Sequence, residues 1–394
     1  MKSRSETSPT EPRIYADPIL LGAVMALVAI GLVMVYSASA ITAQDKLGDS
    51  YHFLKRQGFA ALIGLLGMAA AMKLGYRKLA RLAYGILLLA IVGLIAVRIP
   101  GIGSVVGGAR RWIHLPGFSL QPAEFAKFAW VVYLAYSLAK KREKVATFSI
   151  GFLPHLMIAG LLVGLCMLEP DFGSSVALLT LLFVMLFAAG TKLSYLVGSV
   201  LLAIPVGYHA IASSPYRLKR IMAFLDPWAH RHDVGYQIAE SLMAVGSGGL
   251  FGLGLGDSRQ KLFFLPEAHT DFIFSIIGEE LGLIGVVAVV LLFSVVVWRG
   301  IRASLRANEQ FGTYLGLGIT ALIAFQAVVN MSVAMGLLPT KGLTLPFISY
   351  GGSSMVIMMT AVGVLLSISA SGSATRAVAQ RATAGRRELT EALP

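Results

Sequence analysis

Two charged side chains three residues apart, Glu124 and Lys127, stand at the head of an apolar run that continues to Ala139. On a helix, residues at this spacing share a face and can pair. Ionisable groups inside apolar spans are costly, and they usually face a cavity or a partner. Asp271 follows Pro266, Glu267, His269 and Thr270 and opens a long apolar run in which Glu279 and Glu280 lie two turns deeper. Asp171, after Glu169 and Pro170, opens another. Arg110 and Arg111 precede the Glu124 run, Gln326 and Asn330 lie inside a later one, and Lys341, Ser349, Tyr350, Ser353 and Ser354 surround the start of the last. Carboxylates in such places can move protons, and cations can stabilise developing negative charge. Each also has a plain structural reading. Glu124 and Lys127 can serve only to make each other's burial tolerable, and Asp171 and Asp271 can serve only to offset helix dipoles.

The elements that position these residues follow from composition. Charged residues make up 13% of the 394-residue chain and hydrophobic residues 56%, against about a quarter charged in a soluble domain. Apolar stretches long enough for a hydrocarbon core of about 30 Å recur from end to end. They do not alternate with the period of barrel strands, so helices are the remaining way to cross. The expected fold is an all-α polytopic membrane protein of about ten transmembrane helices. They are placed near 19–37, 58–74, 82–97, 122–139, 150–168, 172–189, 193–212, 271–298, 311–338 and 345–370. This divides the chain into a tail at 1–16, a membrane domain at 17–370 with a long external loop at 213–270, and a second tail at 371–394.

Loop charges set the orientation. Lys2, Arg4 and Arg13, the group Lys73, Arg77, Lys78 and Arg81, the group Lys140, Lys141, Arg142 and Lys144, and Arg299, Arg302 and Arg306 fall in alternate connections. The positive-inside rule then places both termini in the cytoplasm. Asp271, Arg111 and Lys341 fall outside. The net charge of +13 is spread over these short connections, not along a basic face with interleaved aromatics, which argues against nucleic acid as a partner. The single cysteine, Cys166, lies in an apolar run and reads as core filler. The stretch GSGGLFGLGLGDS (246–258) lacks the lysine of a phosphate-binding loop and reads as a tightly turning or re-entrant backbone. His230 and His232 read as solvated loop.

Two functional classes remain on these grounds: a transporter with a midplane polar site, and a membrane enzyme acting on a lipid-linked substrate at the outer leaflet. No internal duplication supports the first. A carboxylate and several cations on one outer surface (Asp271 with Arg111, Lys341, Arg217, Lys219, Arg220 and Lys261) favour the second.

Four segments then resemble a known family. GARRWI (Gly108–Ile113) with QPAEFAK (Gln121–Lys127), EPDFGSS (Glu169–Ser175), the stretch Tyr236–Gly282, and LLPTKGLTLPFISYGGSS (Leu337–Ser354) are similar, in this order, to the signatures of the SEDS proteins. The resemblance runs from Asp17 to about Ala370 and is nearer the division branch than the elongation branch. Glu169 departs from it, since glutamine is common there. The resemblance implies a peptidoglycan glycosyltransferase that polymerises lipid II with inversion at the anomeric carbon, and a translocase for lipid II or a scaffold for division proteins remain as alternatives. It also implies Asp271 as the catalytic residue, acting as a base or as a ligand to a divalent cation, magnesium or manganese. Arg111, Lys127 and Lys341 would stabilise the departing pyrophosphate, Glu124 would position Lys127, and Ser349 and Ser353 would bind phosphate or sugar. Gln237, Lys261, Glu267 and His269 would complete the substrate surface. The implied partner is a class B penicillin-binding protein, an FtsI-like transpeptidase, together with other proteins of the division machinery.

Overall fold

The computed structural model describes residues 16–391 except 107, 116–117, 214, 262–264 and 341. Lys2, Arg4, Arg13 and Lys341 therefore lie outside the described residues. The chain is a helical bundle: α1 (Pro18–Leu47), α2 (His52–Leu74), α3 (Arg77–Ala96), α4 (Pro122–Lys141), α5 (Leu153–Leu168), α6 (Phe172–Ala188), α7 (Leu193–Ala212), α8 (Pro215–Leu225), α9 (Tyr236–Ser247), α10 (Ile273–Leu305), α11 (Gln310–Ala334) and α12 (Gly352–Glu391). Among the described residues seven helical stretches, namely α1, α2, α3, Phe148–Leu168, α10, α11 and Gly352–Gly372, are long and apolar enough to cross a membrane. The chain is a multi-pass membrane protein. α6 and most of α7 are shorter apolar helices, and α4 carries the charged pair and two terminal lysines.

α4 is the inner post of the bundle. Of its residues only a few reach the surface; Glu124, Lys127, Trp130 and Leu134 are all buried, and it packs against α3, α6, α11 and α12. By contrast α3 exposes Leu82, Leu88, Leu89 and Val92, a face suited to lipid and not to water. α2 and α12 pack closely because small residues let their backbones approach. A Cβ at Gly363 would meet the Met68 carbonyl at 2.3 Å. Arg299 of α10 pairs with Asp17, which also caps α1 through the amides of Ile19 and Leu20.

Three departures from the sequence expectation bear on function. The connection between α3 and α4 is not plain loop. It forms a three-stranded antiparallel sheet, β1 (Gly103–Val106), β2 (Ala109–Leu115) and β3 (Phe118–Leu120), in the order β1-β2-β3. This small sheet on the bundle qualifies the all-α expectation, and it fixes Arg110 and Arg111 on β2. The last helix starts at Gly352, not at Leu345. Pro339, Pro346 and Gly351 interrupt the helical register, Phe347 is left-handed (φ 68°), and the Ser349 hydroxyl takes the Leu345 amide at 2.8 Å. Finally, α10 is broken at Gly282, whose φ of 65° and ψ of −163° lie outside any helix. Beyond the bundle, α12 runs on to Glu391 through the segment expected as a tail.

Candidate functional site

Asp271 lies two residues before α10, between that helix and the irregular segment 342–351. Asn330 of α11 fixes its backbone, donating from one side-chain amide to the main-chain oxygens of Asp271 (2.9 Å) and Leu343 (2.7 Å). The adjacent stretch is stitched in the same way. Ser349 Oγ donates to the Thr270 carbonyl at 2.6 Å, and the Tyr350 amide donates to the His269 carbonyl at 2.9 Å. Gln57 of α2 completes the frame, donating to the Ser349 carbonyl at 3.0 Å and accepting from the Gly351 amide at 3.2 Å. Non-helical backbone at membrane depth persists only when such partners are supplied. Here each side of Asp271 has them.

The carboxylate is a different matter. Among the described residues no hydrogen bond reaches it, and α10 starts from Phe272 without a side-chain cap. Its neighbour is the backbone of Gly342, where even a Cβ would come within 3.3 Å of Oδ2. Asp171, the other carboxylate before a helix, does what a capping residue does. It caps α6 and accepts from the Ser174 amide (3.0 Å) and hydroxyl (2.7 Å). The sequence offered the same capping reading for both acids, and the structure separates them.

Burial, reinforced by the charge of Glu267 and more weakly by Asp171, pushes Asp271 up to about 7; Arg111 and Arg220 oppose the rise. Residues from β2, α6, α8 and the segment before α10 thus act on one carboxyl group. Arg111 is itself aimed by two carbonyls, Glu169 (2.9 Å from Nε) and Pro170 (2.5 Å from Nη2). Arg220 of α8 reaches the Thr340 carbonyl at 3.4 Å. Glu169 is fully buried, and both its oxygens lack a partner. Burial first, then Asp171, raises it to about 8 against Arg111 and Arg98.

Other sequence-selected residues fall elsewhere. Lys127 and Glu124 form a buried pair at 2.6 Å, with the second Glu124 oxygen unpartnered. Lys261, expected to meet substrate, is buried and paired with Glu280 at 2.8 Å. Ser353 accepts from the Gln121 amide at 3.3 Å, and Ser349 accepts from the Leu345 amide and donates to the Thr270 carbonyl, so in this structure both hydroxyls contact the frame. His269 packs its ring against Phe53 (4.6 Å) and Tyr350 (5.6 Å), and burial lowers its pKa against the pull of Glu267. Glu267 is exposed and accepts from the Thr270 hydroxyl at 2.7 Å. Gln237 is half-buried on α9. Gln57 was passed over because a lone amide ahead of an apolar run carries no motif, and its partners lie almost three hundred residues away.

The described residues assemble no group of three or more His, Cys, Asp or Glu side chains able to hold a metal ion. A cavity of about 630 Å³, lined by Tyr84, Ser137 and the run Lys140–Lys144, lies at the far end of α4. It plays no part in the Asp271 site.

Comparison with known proteins gives the family. A family model described as a cell cycle protein, covering FtsW, RodA and SpoVE, matches residues 18–374. A probable peptidoglycan glycosyltransferase FtsW of Trichlorobacter lovleyi is 49% identical over 354 residues, covering 90% of this chain and 93% of that protein. The stage V sporulation protein E of Bacillus subtilis is 44% identical, covering 91% and 98%. A chain from a solved peptidoglycan synthase complex, described as coordinating polymerization and crosslinking, superposes with a TM-score of 0.76 at 30% identity, covering 90% and 97%. The rod shape determining protein RodA of Thermus thermophilus superposes with a TM-score of 0.66 at 29% identity, covering 90% and 96%. With the match running through every element that frames Asp271, the chain belongs to the FtsW/RodA/SpoVE family of cell cycle proteins.

Proposed function

We propose that this chain is a peptidoglycan glycosyltransferase that polymerises lipid II at the outer leaflet, with Asp271 as its general base. The observation that carries the reading is the contrast between the two acids: Asp171 is consumed by a helix cap, while Asp271 has a fixed backbone and an uncommitted carboxylate. The names of the relatives support the reaction class, and place the enzyme ahead of a translocase or scaffold.

In an inverting transfer the acceptor hydroxyl attacks the anomeric carbon as the bond to pyrophosphate breaks on the opposite face. Asp271 takes the hydroxyl proton, and a carboxyl group near pKa 7 is matched to that task at neutral pH. The negative charge moves to the leaving pyrophosphate, which Arg111 and Arg220 would meet with fixed positive charge. Both guanidiniums are held by main-chain carbonyls, so little reorganisation is needed. Lys341 would add a third cation. A divalent cation, magnesium or manganese, would add positive charge at the leaving group, with Asp271 as the side chain to hold it.

The same reading carries ten spans, with α4, α6 and α7 joining the seven long ones, both termini inside, and a septal location. A class B penicillin-binding protein with other division proteins would supply crosslinking. The test is glycan synthesis from lipid II by the purified chain with that partner in a bilayer. Polymer from wild type and none from Asp271→Asn of equal thermal stability supports the reading; lipid II translocation without polymer would replace it with transport.

A further inference from the structure

The glycine-rich segment and the two acids of α10 form a second buried device that the reaction does not use directly. At the Gly282 break the helix leaves carbonyls and amides without their usual partners, and the segment Gly249–Gly254 supplies them. Leu253 and Gly254 donate to the carbonyls of Glu279 (2.9 Å) and Glu280 (3.1 Å). In return Leu283 and Ile284 donate to those of Gly249 (3.0 Å) and Leu250 (3.3 Å). The approach is close enough that a Cβ at Gly282 would sit 2.3 Å from the Gly252 nitrogen.

Side chains then lock this ladder from both flanks. Glu279 accepts from the Ser258 hydroxyl (2.5 Å) and from the amides of Arg259 (2.9 Å) and Gln260 (3.4 Å). Glu280 accepts from Lys261 (2.8 Å) and from Ser37 of α1 (2.7 Å). The Lys261 ammonium also donates to the Gly256 carbonyl at 2.6 Å and to Ser37 at 3.3 Å. Glu279, Glu280 and Lys261 are all buried. The half-helix between Asp271 and the break is buried at every position from Ile273 to Glu280. Ser275 meets Ser241 of α9 midway along it at 2.5 Å, while its ends are fixed by Asn330 and the 342–351 segment at one and by this lock at the other.

We propose that Lys261 and Glu280 are positioning residues for Asp271, their buried pair pinning the external loop and α1 to the broken end of the half-helix that Asp271 precedes. The proposal rests on the polymerase reading for its kinetic consequence but not for its structural one. A buried pair broken on one side leaves an uncompensated charge, whereas removing both charges together is far less disruptive. Displacing the half-helix would move Asp271 relative to bound substrate, so the loss should fall on turnover and not on lipid II binding.

The experiment compares wild type, Lys261→Arg, Lys261→Met, Glu280→Gln and the Lys261→Met/Glu280→Gln double variant in nanodiscs with the transpeptidase partner. Two readouts are taken: kcat and KM for lipid II, and hydrogen exchange of peptides covering 249–254 and 279–284. The expected result is a loss of kcat of tenfold or more in each single neutral variant at nearly unchanged KM. Lys261→Arg and the double variant should recover most of it, and exchange should quicken in the two peptides only in the single variants. A rise in KM alone for Lys261→Met, with Glu280→Gln unaffected, would return Lys261 to the substrate site and overturn the proposal. If the wild type makes no glycan, the polymerase reading falls, and the exchange pattern alone decides the pin: unchanged exchange in Lys261→Met overturns it.

Discussion

The side-chain amide of Asn330 bonds the main-chain oxygen of Asp271 at 2.9 Å while also holding that of Leu343 at 2.7 Å. One residue of α11 thereby sets the spacing between the proposed base and the segment that faces it. Replacing Asn330 by Leu leaves two carbonyls without a donor at a buried position, a loss on the order of 1–3 kcal/mol. The expected outcome is a modest fall in thermal stability together with a fall in polymerisation rate of at least tenfold. Asn330→Asp, which cannot donate when ionised, should behave alike. Initial rates and melting curves of both variants check this.

The raised pKa of Asp271 fixes the acid limb of the reaction. A base must be deprotonated, so below about 7 the rate should fall tenfold per pH unit and above it level off. Removing the Glu267 charge by Glu267→Gln takes away a raising influence and should shift the limb to lower pH. Removing Arg111 should shift it the other way, at the cost of pyrophosphate stabilisation. Polymerisation rates between pH 5 and 9 for the three proteins give the answer.

Glu169 makes a prediction about stability. Its folded-state pKa, near 8, exceeds the ordinary carboxylate value, so the folded chain binds more protons than the unfolded one between those limits. Its contribution is therefore most favourable in acid and is lost progressively as pH rises towards 8. Glu169→Gln, which copies the neutral acid, should keep activity at pH 7 and gain thermal stability relative to wild type as pH is raised from about 5 to about 8. A stability difference that is flat with pH would contradict the burial argument.

The Glu124–Lys127 pair is closed off within α4, and its loss should show first as instability. Lys127→Met strands a buried carboxylate and is expected to cost about 3–5 kcal/mol. Glu124→Gln with Lys127→Met together should restore much of the folding. Whether activity returns with it separates a structural pair from a substrate cation: recovered polymerisation would assign the pair to the fold.

How far the sequence carried the fold depended on how local each signal was. The apolar runs marked nearly every long helix, because a span declares itself in about twenty consecutive residues. The break in α10 did not show, since Gly282 is one glycine among many in an apolar run and its partners come from Gly249–Gly254. The β1–β3 sheet was hidden for a related reason: its strands are three to seven residues long and carry arginines that read as loop charge. Within the candidate site, Asp271 and Arg111 stand out by type and place, and the structure brings the charge of one to bear on the other. The pairing of Lys261 did not show, because an isolated lysine in an external loop looks free, while its partner Glu280 lies nineteen residues on, reached through the folded-back loop. Gln57 and the backbone role of Ser349 depend on contacts that no spacing encodes.

The most direct test of the central claim is polymerisation of lipid II by wild type and by Asp271→Asn, each with the transpeptidase partner and matched for folding. Asp271→Asn keeps the backbone bond from Asn330 and the volume of the side chain but cannot accept the acceptor's proton. Glycan strands from wild type and a rate at least about a thousandfold lower in the variant are predicted. Strands made at the wild-type rate by Asp271→Asn would contradict Asp271 as the base.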